Sequence, residues 1–156
     1  MKEIISLPEL YERYSKDIFR YSFSILKNED DAKDAVQEVF VTYAENESSF
    51  KRHCSYKTWL LVLTRNYCFN KTKSKGFNND SLEVQTYNKT YETDYDTQIT
   101  VRDALLKLNS EDNELIYLRE YESYSYKEIA ELTEQSLENV KIKIFRARNK
   151  LREILK

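Results

Sequence analysis

One glycine, Gly76, and one proline, Pro8, in 156 residues constrain this chain more than any other feature. Average usage would be roughly 7% glycine and 5% proline. Hairpin turns and bulges draw on glycine because they need positive φ, so an all-β fold is nearly excluded. Phosphate-cradling loops of the GxGxxG and GxxxxGK[ST] kind need two or more glycines and cannot be written with one. Helices need glycine only at their ends. The expected fold class is all-α.

The two cysteines, Cys54 and Cys68, cannot make a disulfide framework, and the single histidine, His53, leaves too few ligands for a structural zinc site. Cys68 is expected to be a small core residue. Asp30, Asp31 and Asp34 follow from the positive end of a helix rather than from a metal site. No metal, cofactor or catalytic set is expected. Mean hydropathy is −0.76. No stretch approaches the roughly 20 apolar residues that a membrane span needs, and the first residues contain no secretory apolar core. The expectation is a cytoplasmic protein without membrane insertion.

The net charge of −2 hides four blocks. Residues 1–50 and 76–138 are acidic, at −5 and −10. Residues 51–75 carry seven basic residues and no acid, and residues 139–156 carry seven basic residues against Glu153. Two separated basic segments in an acidic chain suggest two contact surfaces for a polyanion.

Helical periodicity organises the chain on either side of an aperiodic, polar stretch. Ser6 and Glu9 have capping-box spacing, with Pro8 in the first turn. Leu10, Tyr14, Ile18, Tyr21 and Ile25 then recur at helical intervals. Asn28 opens a second helix whose buried stripe is Ala32, Ala35, Val36, Val39, Phe40 and Tyr43. Asp34, Gln37, Glu38 and Val41 share its other side. Residues 46–57 read as a loop. A third helix follows to about Lys73, with Trp59, Leu60, Leu63 and Tyr67 as its apolar side. Residues 76–98 read as a flexible linker. Periodicity returns at Ile99, and Ser110 is expected to cap a further helix. The organisation expected is two small helical bundles, 1–75 and 99–156, joined by 76–98.

The last thirty residues have helix-turn-helix grammar. Ser125 and Glu128 form a capping box before a short helix carrying Ile129, Ala130 and Leu132. Thr133-Glu134-Gln135 interrupts, and Ser136 caps a final helix with the stripe Val140, Ile144, Ala147 and Leu151. Asn139, Ile142, Lys143 and Arg146 then form a separate face able to lie in a major groove. Glu134 stands where such turns often have glycine. A positive φ there costs on the order of 1–2 kcal/mol, so a turn of different detail is expected.

Three segments carry a family resemblance. SYKEIAELTEQSLENVKIKIFRARNKLREIL resembles the promoter-binding domain of sigma-70 family factors, especially the extracytoplasmic-function (ECF) group. DDAKDAVQEVF resembles the polymerase-binding helix of the same group. FKRHCSYKTWLLVLTRNYCFNK resembles the loop and helix that open the minus-ten element. The resemblance implies a sigma factor that binds bacterial core RNA polymerase, through its β′ clamp helices and β flap, and directs promoter-specific transcription initiation. It implies polymerase-binding roles for Asp34, Gln37 and Glu38. It implies minus-ten contacts from Lys51, Arg52, His53, Ser55, Tyr56, Arg65, Asn66, Lys71 and Lys73, with Tyr56 as a stacking ring on melted single-stranded DNA. Double-stranded minus-thirty-five DNA falls to Ser136, Asn139, Lys141, Ile142, Lys143, Arg146 and Arg148. Further partners implied are an anti-sigma factor or an accessory DNA-targeting protein. Thr64, commonly Ala, and Ile142, commonly Ser, depart from the pattern. The alternative reading is a stand-alone helix-turn-helix DNA-binding regulator.

Overall fold

The computed structural model describes residues 5–46, 55–74 and 96–155, and all regular elements among them are helical. The chain divides into two compact units, 1–75 and 76–156. The proposed linker 76–98 lies outside the described residues except for its end, because helix α4 already begins at Asp96.

The first unit is a three-helix bundle in which each helix packs on both others: α1 (Leu7–Leu26), α2 (Glu29–Glu45) and α3 (Tyr56–Ser74). Ser6 caps α1 by accepting from the Glu9 N–H at 3.4 Å. The Glu9 carboxylate turns outward to Arg13, 3.0 Å away. Asn28 caps α2, its Oδ1 accepting from the Asp31 N–H at 2.8 Å. The buried residues of α2 are Ala32, Ala35, Val36, Val39, Phe40 and Tyr43, the full stripe read from the periodicity.

Helix α3 is rotated from its expected orientation. Its buried residues are Tyr56, Leu60, Leu61, Thr64 and Cys68, whereas Trp59, Leu63 and Tyr67 are only half-buried. The run Trp59–Leu63 is apolar on every side, so local pattern cannot choose the inward face. Small residues settle it. Thr64 fits a fully buried site because its hydroxyl donates to the Leu60 carbonyl at 2.6 Å, which removes the penalty for burying it. Cys68, also fully buried, continues the same face one turn on.

The second unit comprises α4 (Asp96–Lys107), α5 (Ser110–Ile116) continued by a π turn (Tyr117–Tyr121), α6 (Tyr126–Thr133) and α7 (Leu137–Leu155). Helix α7 packs against α4, α5 and α6. The cap of α5 is Asn109, not Ser110: its Oδ1 accepts from the Asp112 N–H at 2.8 Å. Of two adjacent residues able to cap, the amide is used. The Ser125–Glu128 capping box of α6 is made in both directions, at 3.0 and 2.9 Å. Val140, Ile144 and Ala147 of α7 are fully buried, and Leu151 and Ile154 pack beside Ala147, Leu108 and Ile116.

Scarcity of glycine leaves a mark on the backbone. Lys27, Ser123 and Glu134 adopt positive φ, at 58°, 61° and 58°. Lys27 and Glu134 are the left-handed residues that end α1 and α6. The turn at Glu134 therefore keeps the geometry a glycine would give and bears the strain, rather than changing its detail. Glu134→Gly is expected to stabilise the second unit by about 0.5–1 kcal/mol, the relief of strain less the extra chain entropy of glycine. Chemical unfolding of the two proteins measures it.

Candidate polymerase and DNA interfaces

Asp34, Gln37, Glu38 and Val41 all lie exposed on α2, opposite its buried stripe. Asp34 and Glu38 are one turn apart and repel each other, which costs a few tenths of a kcal/mol in an isolated helix. Val41 is 49% exposed and adds an apolar end to this acidic face. Gln37 also lines an open cleft of about 380 Å³ between α1 and α2, with Tyr11, Phe19, Lys16, Lys33 and Val36. That cleft escapes local sequence reading, because half of its wall comes from α1. The face of Asp34, Glu38 and Val41 suits a partner surface that is basic and partly apolar, whereas the cleft beside it is lined by the cations Lys16, Arg20 and Lys33.

The second candidate surface is the far end of α3. Arg65 stacks over the Phe69 ring at 4.9 Å, and the Lys71 ammonium lies 5.8 Å from the Tyr67 ring centre. These one-turn cation–π pairs hold two cations against their own helix. Asn66 and Lys73 are exposed beside them. Lys51, Arg52 and His53 lie outside the described residues.

Two of the expected loop residues also have structural positions, one exposed and one buried. Ser55 caps α3, its Oγ accepting from the Thr58 N–H at 3.1 Å. Tyr56 is the first residue of α3 and is buried, and its Oη accepts from the Ile5 N–H at 3.3 Å. A ring already covered by its own core cannot stack on a base, so the expectation for Tyr56 is corrected. The half-buried Tyr67 and Phe69 are the rings of this surface.

The third surface is α7. Ser136 caps it, accepting from the Asn139 N–H at 3.1 Å. Asn139, Lys141, Ile142 and Arg146 are exposed. Phe145 is 64% exposed, a large apolar residue that the stripe argument had left unassigned. Lys143 and Arg148 are half-buried and held from within the unit. The Lys143 ammonium donates to Gln135 Oε1 at 2.8 Å and to Glu111 Oε2 at 3.2 Å. Arg148 donates to the Glu120 carboxylate through Nε, at 3.0 Å, and through its terminal nitrogen. That hydrogen bond, against a smaller opposing effect of burial, raises the Arg148 guanidinium further above its already high value.

Fold and surfaces together define an all-helical protein, among the described residues, with a helix-turn-helix. Residues 10–77 match the model of sigma-70 region 2, and residues 98–151 match that of sigma-70 region 4. The chain is 31% identical to the RNA polymerase sigma factor YlaC of Bacillus subtilis, over 98% of this chain and 94% of the relative. It is 28% identical to the ECF RNA polymerase sigma factor SigM of Bacillus subtilis, over 96% and 95% of the two chains. In fold it is similar to the sigma factor RpoE of Bartonella quintana, solved in complex with the anti-sigma factor NepR, with a TM-score of 0.74, 23% identity and 95% of each chain covered. The chain belongs to the sigma-70 family of RNA polymerase sigma factors, in its extracytoplasmic-function group. Its function is that of a sigma factor directing transcription. The stand-alone regulator is not favoured, because the match to region 2 takes up most of the N-terminal unit.

Proposed function

We propose that this sigma factor divides its work between its two units. The exposed face Asp34, Gln37 and Glu38 binds the β′ clamp helices of bacterial core RNA polymerase. Lys51, Arg52, His53 and Ser55, with Arg65, Asn66, Lys71 and Lys73, meet melted minus-ten DNA. The second unit meets the β flap and lays α7 along the minus-thirty-five element, with Ser136, Asn139, Lys141, Ile142, Lys143, Arg146 and Arg148 as its DNA side. The stretch 76–95, up to the start of α4, serves as the linker between them. An anti-sigma factor or an accessory DNA-targeting protein is the kind of partner that controls such a chain, and the cytoplasm is where polymerase is found.

The observation that supports this reading most is the α2 face. Every apolar residue of the expected stripe is buried, which leaves two carboxylates and an amide in a row with no role in the fold. For α7, Arg146→Ala is expected to weaken contact with the upstream element by about 1–3 kcal/mol if the guanidinium reaches a base. Ile142→Ser is expected to shift sequence preference more than affinity, since an apolar side chain suits a thymine methyl and a hydroxyl does not. Promoter binding by the reconstituted holoenzyme, across a library of upstream elements, measures both. Unchanged affinity and preference in both variants would contradict the DNA role of α7.

A further inference from the structure

Three of the seven cations between 139 and 156 carry a counter-ion supplied by their own unit. Lys143 meets Glu111 at 3.2 Å, Lys150 meets Asp112 at 2.9 Å, and Arg148 meets Glu120. The acids all come from α5 and the π turn, 28 to 38 residues earlier in the chain. Residues 99–156 contain eleven acidic and eleven basic residues, so the basic helix sits in a unit of zero formal charge.

The Lys143 site is the most elaborate of the three. Thr133 donates its hydroxyl proton to the Ile129 carbonyl at 2.7 Å, so its oxygen accepts from the Gln135 amide, 3.0 Å away. This fixes the amide with its oxygen toward Lys143. Gln135 and Glu111 then take two of the three ammonium hydrogens, leaving one for DNA.

We propose that Glu111, Asp112 and Glu120 are specificity-determining residues, which keep Lys143, Lys150 and Arg148 from acting as free phosphate binders and so suppress sequence-independent attachment to DNA. The inference rests on the reading of α7 as a DNA-contacting helix. Sequence-independent affinity follows the number of phosphates neutralised. A cation that must leave a carboxylate to meet a phosphate exchanges one anion for another and adds little. Asn139, Lys141, Ile142 and Arg146 are exposed outside these three pairs, and they discriminate together with the hydrogens that Lys143 and Arg148 keep unspent.

The test uses the full chain and a duplex of arbitrary sequence, about 30 base pairs long, with binding followed by fluorescence anisotropy. The variant is Glu111→Gln with Glu120→Gln, which keeps size and hydrogen-bonding oxygens but removes the charges. Exposed pairs of this kind contribute little to stability, so the fold is retained. Asp112 is left in place because its side chain is only 13% exposed. The matched control, Glu131→Gln with Glu134→Gln, removes the same charge from residues that make no ion pair with α7 among the described residues.

The paired variant is expected to bind roughly tenfold more tightly near 0.1 M salt, with a log–log salt slope steeper by about two. The control is expected to change far less. Equal gains in both variants, or no gain in either, would overturn the inference. Arg146→Ala, made in the paired background, separates the two levels. If it lowers binding while the paired variant matches the control, only the inference falls. If it leaves binding unchanged, the reading of α7 as a DNA-contacting helix falls too.

Discussion

Replacing Asp34 and Glu38 together by lysine is expected to abolish binding to core RNA polymerase while leaving α2 folded. Both side chains are exposed, and the face behind them, from Ala32 to Tyr43, supplies the packing of the helix. Lysine is as good a helix former as glutamate, so helicity is kept. The like-charge spacing at i, i+4 is also kept, so the internal repulsion changes sign and not size. At a complementary interface, however, two attractions become two repulsions, and like charges set against each other there cost several kcal/mol. Affinity is therefore expected to fall by at least a hundredfold, measured by titrating labelled protein with core polymerase, and circular dichroism is expected to be unchanged. A folded double variant that binds as tightly as the wild type would show that this face is not the polymerase contact.

Truncating Ile144 to alanine is expected to have the largest effect on stability. Ile144 is fully buried in the second unit, between Val140 and Ala147 on the inward face of α7, the helix that packs on α5 and α6. Removing three buried carbons costs about 2–5 kcal/mol where the site cannot collapse. About 60 residues contribute only about 3–9 kcal/mol in total. Most of the stability of this unit would go, and with it the seating of the recognition helix. Ile142→Ala, on the exposed side of the same helix, is expected to shift stability by about 0.5 kcal/mol or less. Urea unfolding of the full chain, followed by circular dichroism, compares them. Equal midpoints for the two variants would contradict the assigned core.

How much of this was legible in the sequence depends on the element. Helix α2 was fully legible, because a clear period, a capping Asn28 and three acids in the first turn all point to one face. The Ser125 capping box and the α7 stripe were legible for the same reason. Helix α3 was not: five consecutive apolar residues erase the period, and the decision falls to Thr64 and Cys68, whose burial depends on tertiary fit. Tyr56 was misplaced with it, since its partner Ile5 lies 51 residues away. At Glu134 the chemistry of the residue argued for a different turn, yet the hydrogen bonds closing α6 hold it at positive φ. The acids that meet Lys143, Arg148 and Lys150 were invisible to local pattern, because they approach from other helices. Net charge by block made α7 look freely basic, whereas three of its cations are already matched.

Holoenzyme formation tests the central claim most directly. The full chain is mixed with purified bacterial core RNA polymerase, separated by size exclusion, and the complex is supplied with fragments of bacterial genomic DNA and nucleotides. The account predicts co-elution of the chain with core polymerase and transcripts that begin at a small set of defined sites, absent with core alone and absent with the Asp34→Lys, Glu38→Lys variant. A chain that elutes apart from core polymerase and leaves the pattern of transcripts as core alone gives it would contradict the account.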